Sequence, residues 1–129
     1  MPQKKQPMQA DPFKEGVQAY KEGKLDKARK FFEQAQAQNP NHVDAINNLG
    51  ILLAQQGKLK EAEKILKKGL AQNPRHVPLY DNLSRILVMQ ERFGEAMKLL
   101  EEGKMLTQDP QFDYKILMLQ RIVFGDSLG

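Results

Sequence analysis

The sequence predicts an all-α protein, a solenoid of antiparallel helix pairs with seven helices. Three observations carry this. The phrase AQNPNH at 37–42 returns as AQNPRH at 71–76, 34 residues later. Apolar residues between such phrases recur at spacings of three and four, the signature of one helix face. Small residues return at the same offset, where close helix packing needs them: Gly16, Gly50 and Ser84 form one series, and Ala28, Ala62 and Ala96 another. A fixed period of this length marks stacked supersecondary units.

The elements follow in order. Residues 1–10, MPQKKQPMQA, are rich in Pro, Gln and Lys and read as a disordered lead-in or linker. They hold no apolar run of the kind a signal peptide needs. Asp11-Pro12 reads as an N-cap and first helical residue. Three units span about residues 11–40, 43–74 and 77–108. In the middle unit Val43, Ile46, Leu49, Gly50 and Leu53 make one face, and Gly57 is a helix stop. Leu59, Ala62, Ile65, Leu66, Gly69 and Leu70 make the second face. Asn73-Pro74 ends that helix, because the residue before proline avoids the helical region. In the third unit Glu91 stands where Gly23 and Gly57 stood, which predicts a different turn. Asp109-Pro110 arrives 36 residues after Asn73-Pro74, which predicts a register slip of two. Residues 111–124 are a seventh, capping helix, and 125–129 are a tail. Ile116, Leu119 and Val123 are expected to cover the third unit. Phe112, Tyr114, Leu117, Met118, Ile122 and Phe124 make the rest of that helix apolar too, which predicts an interface at Tyr114, Leu117, Met118 and Ile122.

Leu49-Gly50, Gly57, Ala62, Leu66, Gly69 and Pro74, with Tyr80, Leu83, Phe93, Ala96 and Leu100 in the third unit, make the sequence resemble the tetratricopeptide repeat over about residues 9–108. The resemblance implies a right-handed superhelix whose first helices line a concave, peptide-holding surface. The phase of those helices puts Phe13, Val17, Tyr20 and Lys21, then Asn47, Ile51, Ala54 and Gln55, then Asp81, Arg85, Val88 and Met89 on that surface. Asp44 and Pro78 fall at its rim. Chaperone-binding members of the family grip a terminal carboxylate with cations and asparagines. The matching slots here hold Phe13, Val17, Asn48, Pro78 and Asn82, so only Asn48 survives and the charge-assisted bonds are missing.

Chemistry finds little to work with. The chain of 129 residues has no cysteine, so thiolate metal sites are out. His42 and His76 lie 34 apart, each two residues after a joint proline, which the repeat alone explains. No phosphate-binding glycine motif occurs, and neither Ser84 nor Ser127 has a neighbouring base. No cofactor and no metal are expected. Net charge is +4. The Lys58, Lys60, Lys64, Lys67, Lys68 and Arg75 cluster, echoed by Lys24, Lys27, Arg29 and Lys30, reads as a solvated face with Glu61–Lys64 and Glu63–Lys67 pairs. Few aromatics interleave it, which argues against nucleic acid. No run of 18 apolar residues exists to span a membrane; peripheral association stays open. The expected function is a non-catalytic protein–protein interaction module or scaffold, in the cytoplasm, holding a segment of a partner protein. The alternatives are a structural component that self-associates as a homodimer through its last helix, and a chaperone of apolar secreted segments.

Overall fold

The computed structural model describes residues 11–125. The expected lead-in at 1–10 and residues 126–129 of the tail lie outside that range. Seven helices run in order, with no strand among the described residues: α1 Pro12–Lys21, α2 Leu25–Gln38, α3 Val43–Gln55, α4 Leu59–Gln72, α5 Val77–Met89, α6 Phe93–Thr107 and α7 Gln111–Phe124. Helices α1·α2, α3·α4 and α5·α6 pack as pairs. The pairs stack through α2·α3, α4·α5 and α6·α7. No helix among the described residues is long and apolar enough to cross a membrane.

The small residues act as spacers. A Cβ on Gly50 would stand 2.4 Å from Leu66 Cδ2, and one on Gly16 would stand 2.6 Å from Phe32 Cε1. Ser84 fills the third slot, buried, and returns its hydroxyl to the Asp81 carbonyl at 2.9 Å. Ala28, Ala62 and Ala96 are fully buried. Gly69 serves the joint between units instead: its Cβ would meet Ile46 at 2.8 Å and Leu79 at 3.3 Å.

The turn inside each pair is one design used three times. Lys24, Lys58 and Arg92 donate their N–H groups to the carbonyls of Ala19, Leu53 and Leu87 at 2.8–2.9 Å. The residue before each has positive φ: Gly23 at 77°, Gly57 at 80° and Glu91 at 58°. The different turn expected at Glu91 is therefore the same turn. Hydrogen bonds on both sides hold Glu91 in the left-handed region, at a cost of about 1–2 kcal/mol for a residue with a Cβ.

The last joint departs from the others. Helices α2 and α4 end on Asn39 and Asn73 with negative φ, each followed by proline. Helix α6 ends on Gln108 in the left-handed region. Thr107 Oγ1 donates to the Gly103 carbonyl at 2.8 Å and accepts from Asp109 N–H at 3.1 Å. Three residues, not four, then separate α6 from α7. Gly69 is flanked by Ile46 and Leu79, and Gly103 by Tyr80 and Phe112. Ile46 to Tyr80 is 34 residues, but Leu79 to Phe112 is 33. The slip is one residue backward rather than two forward. Phe112, not among the residues expected to cover the third unit, is buried edge-on against Tyr80 at 5.4 Å, and Val123, expected to cover it, is exposed. Leu119 is buried and Ile116 is half-buried, as expected.

Candidate functional site: the concave face

The inner surfaces of the first helices α1, α3, α5 and α7 carry a row of three clefts. The first, about 110 Å³, lies between α1 and α3 and is lined by Val17, Tyr20, Phe32, Asn48 and Ile51. The second, about 210 Å³, lies between α3 and α5; Ile51, Gln55, Asn82, Arg85 and Met89 form its wall with Ala54 and Ile86. The third, about 510 Å³, lies between α5 and α7, where Asp81, Arg85, Val88 and Met89 face Tyr114, Met118 and Ile122. Ile51 is shared by the first two clefts, and Arg85 and Met89 by the last two. The three are thus segments of one track.

Between neighbouring first helices, a polar bridge crosses each joint. Gln55 Nε2 donates to Tyr20 Oη at 2.7 Å, Asn82 Nδ2 to Asn47 Oδ1 at 2.8 Å, and Lys115 Nζ to Asp81 Oδ1 at 3.0 Å. Asp81 also pairs with Arg85 at 3.4 Å. The bridges fix the spacing of neighbouring first helices, so the track is preorganised.

Most of the expected groove residues meet on this track: Val17, Tyr20, Ile51, Asp81, Arg85, Val88 and Met89 line it. Phe13 does not. Its ring lies tilted against His42 at 4.8 Å and Phe32 at 5.9 Å, in the first joint. His42 Nδ1 accepts from Ala45 N–H at 3.2 Å, so the imidazole caps α3 while Phe13 covers it. Asn47 lies between the clefts, with its carbonyl oxygen engaged by Asn82. Sequence phase missed Asn82 as a bridge and Lys115 as the partner of Asp81. Two of the bridges link residues 35 apart and the third links residues 34 apart, offsets that a 34-residue period alone does not single out. The predicted α7 interface also divides. Tyr114, Met118 and Ile122 belong to the concave track, whereas Leu117 faces away from it, 46% exposed.

The opposite face is held by ions. Arg92 Nη1 and Nη2 donate to Glu63 at 2.6 and 3.0 Å and its Nε and Nη2 to Glu95 at 2.7 Å; Lys67 meets Glu63 at 2.7 Å. The Arg92 guanidinium holds the Glu63 carboxyl down at about 2. Half of the basic cluster's expected pairing is therefore seen directly, at Glu63–Lys67. Among the described residues no cluster of three or more His, Asp or Glu forms that would hold a metal.

Models of the tetratricopeptide repeat match residues 19–85, more than half of the chain, and again residues 79–103. The chain belongs to the tetratricopeptide repeat family. No curated protein matches it in sequence. Among solved structures, the first tetratricopeptide domain of Spaghetti (RPAP3), bound to the HSP90 peptide SRMEEVD, superposes with a TM-score of 0.75. Identity is 17%, covering 87% of this chain and 92% of that one. The TPR2B domain of yeast Sti1, in complex with pHsp70, gives 0.74 at 16% identity over 84% and 89%. MamA gives 0.72 at 19% identity over 88% of this chain, which spans only 63% of the length of MamA. At these identities the likeness is one of fold. The tetratricopeptide fold makes the concave track the inner wall of the superhelix, and the Arg92 network lies outside it.

Proposed function

We infer that this chain is a non-catalytic interaction module that holds an extended or helical segment of a partner protein along the concave track. The observation that carries this is the continuity of the three clefts through shared Ile51, Arg85 and Met89. Large apolar side chains stand unburied along it: Tyr20, Met89 (61% exposed), Tyr114 (65%), Met118 and Ile122. Burying them at about 25 cal/mol per Å² supplies affinity. Asp81 and Arg85, already fixed by their bridges, set register. No nucleophile–base pair lines the track, so nothing in it supports turnover.

The segment differs in chemistry from an acidic chaperone tail. Asn48 and Val17 line the first cleft together, and Asn82 is committed to Asn47, so a terminal carboxylate meets no cation there. The ligand class is an internal segment with large apolar residues. Selection of peptides from a displayed random library tests this. The account expects apolar-rich peptides whose binding is lost on Ile51→Glu or Met89→Glu and is indifferent to amidation of the peptide C-terminus. Binding that survives both substitutions but fails after charge reversal at Lys64, Lys67 and Lys68 would move the site to the outer basic face.

A further inference from the structure

Helix α7 has a third face, turned away from the concave track and tied to α6 at its first turn, where Asp113 meets Lys104 at 2.7 Å. At 3.6 residues per turn, Asp113, Leu117 and Arg121 align on it, each exposed, with Phe124 (59% exposed) one turn further on. In earlier units the corresponding face of the first helix receives its own partner helix. There a small residue admits the partner: Gly16 admits Phe32, and Gly50 admits Leu66. Ser84 continues the series. The 33-residue step puts Leu117 in that slot, and a 34-residue step would put Met118 there. Either side chain blocks the close approach that the regular pair needs, so this face is not built for another helix of the same repeat.

We propose that it is built for a second copy of this chain, with the two α7 helices antiparallel and crossing at Leu117. The charges carry the proposal. Asp113 and Arg121 lie four residues to either side of Leu117, in the first and last turns of the helix. A two-fold axis through Leu117 therefore sets Asp113 of each copy opposite Arg121 of the other, making two complementary pairs around a Leu117–Leu117 contact. Each Phe124 falls beside the other copy's Pro110 by the same symmetry. The antiparallel helix dipoles agree with this arrangement. A symmetric patch that complements itself is the requirement of a closed dimer. The concave track lies on another side of α7, at Met118 and Ile122, and stays open, so the dimer offers two grooves. A helix of 14 residues is about 21 Å long, and one such pair buries less than the roughly 1,200 Å² of a standard interface, which makes the dimer a weak one.

Sedimentation equilibrium of the full chain tests the association, with circular dichroism checking that each variant is folded. The wild type is expected to pass from monomer to dimer as concentration rises through the micromolar range, and Leu117→Glu to stay monomeric. Arg121→Asp should weaken association by about tenfold, and the double exchange Asp113→Arg with Arg121→Asp should restore it when made together with Lys104→Ala, which removes the cation that meets residue 113 at 2.7 Å. The chain has no cysteine, so Leu117→Cys gives a single thiol on the proposed axis. Under a mild oxidant it should cross-link to itself faster than Ile122→Cys does. A wild type that stays monomeric at hundreds of micromolar overturns the proposal. So does a double exchange that fails to restore association, or faster cross-linking at position 122.

Discussion

Helices α5 and α7 start 34 residues apart and hold successive first-helix positions, yet α5 buries Leu79, Tyr80, Leu83, Ser84, Ile86 and Leu87 whereas α7 buries only Phe112 and Leu119. The difference is one of neighbours. Helix α5 is enclosed by α3, α4 and α6. Helix α7 docks on α6 and reaches α5 through Lys115–Asp81. Their ionic fastenings differ in the same way. The turn after α5 is bolted to α4 by Arg92–Glu63, with the Glu63 side chain 12% exposed, while α7 has Lys104–Asp113, both ends open to solvent. Repetition of sequence thus gives repetition of backbone, but burial depends on what lies on each side.

Phe112→Ala should have the largest effect, about 3–5 kcal/mol in a denaturant titration, because it removes the main anchor of α7. A loss under about 1 kcal/mol would mean that α7 is not docked through this ring. Gly103→Val should cost about 1–3 kcal/mol by overpacking, since its Cβ would meet Phe112 at 2.4 Å and Tyr80 at 3.0 Å, one from each helix being compared. Glu91→Gly relieves the left-handed strain in the turn between α5 and α6 and should raise stability by about 1 kcal/mol; Gly57→Glu should lose about as much.

The smallest effect is that of pH. Glu63 is held at about 2 against an ordinary 4.5, mainly by the Arg92 hydrogen bonds. The unfolded chain therefore binds more protons in that window, and stability falls as pH drops from about 5 toward 2. Thermal melts of Glu63→Gln should show a shallower acid limb than the wild type. An unchanged limb would place the acid sensitivity elsewhere.

The helices and their spacers were legible because one pattern was written three times: glycine or serine against a large side chain, alanine at each close contact, asparagine-proline at two of the joints. Glu91 was not, since its identity argues against the left-handed turn that its neighbours' hydrogen bonds impose. The facing of α7 was hidden for a similar reason. Gln108 takes a left-handed cap without being glycine, so Asp109-Pro110 looked like a late copy of Asn73-Pro74 when it closes a shorter joint. At the candidate site the apolar liners Val17, Ile51, Val88 and Met89 followed from helix phase. Phe13 shared that phase, but His42 offered its ring a partner inside the first joint. The bridges Asn47–Asn82 and Asp81–Lys115 depend on how far one unit turns relative to the next, which the spacing of residues within a helix does not encode.

Helix α7 packs one residue out of the 34-residue register and so presents Leu117 rather than burying it. Denaturant unfolding of Leu119→Ala and Leu117→Ala, at a concentration where the chain is monomeric, tests it directly. The expected loss is about 2–5 kcal/mol for Leu119→Ala and less than about 0.5 kcal/mol for Leu117→Ala. In an unbroken register Leu117 would take the place of buried Leu83, so a large loss at Leu117 with little at Leu119 would contradict the account.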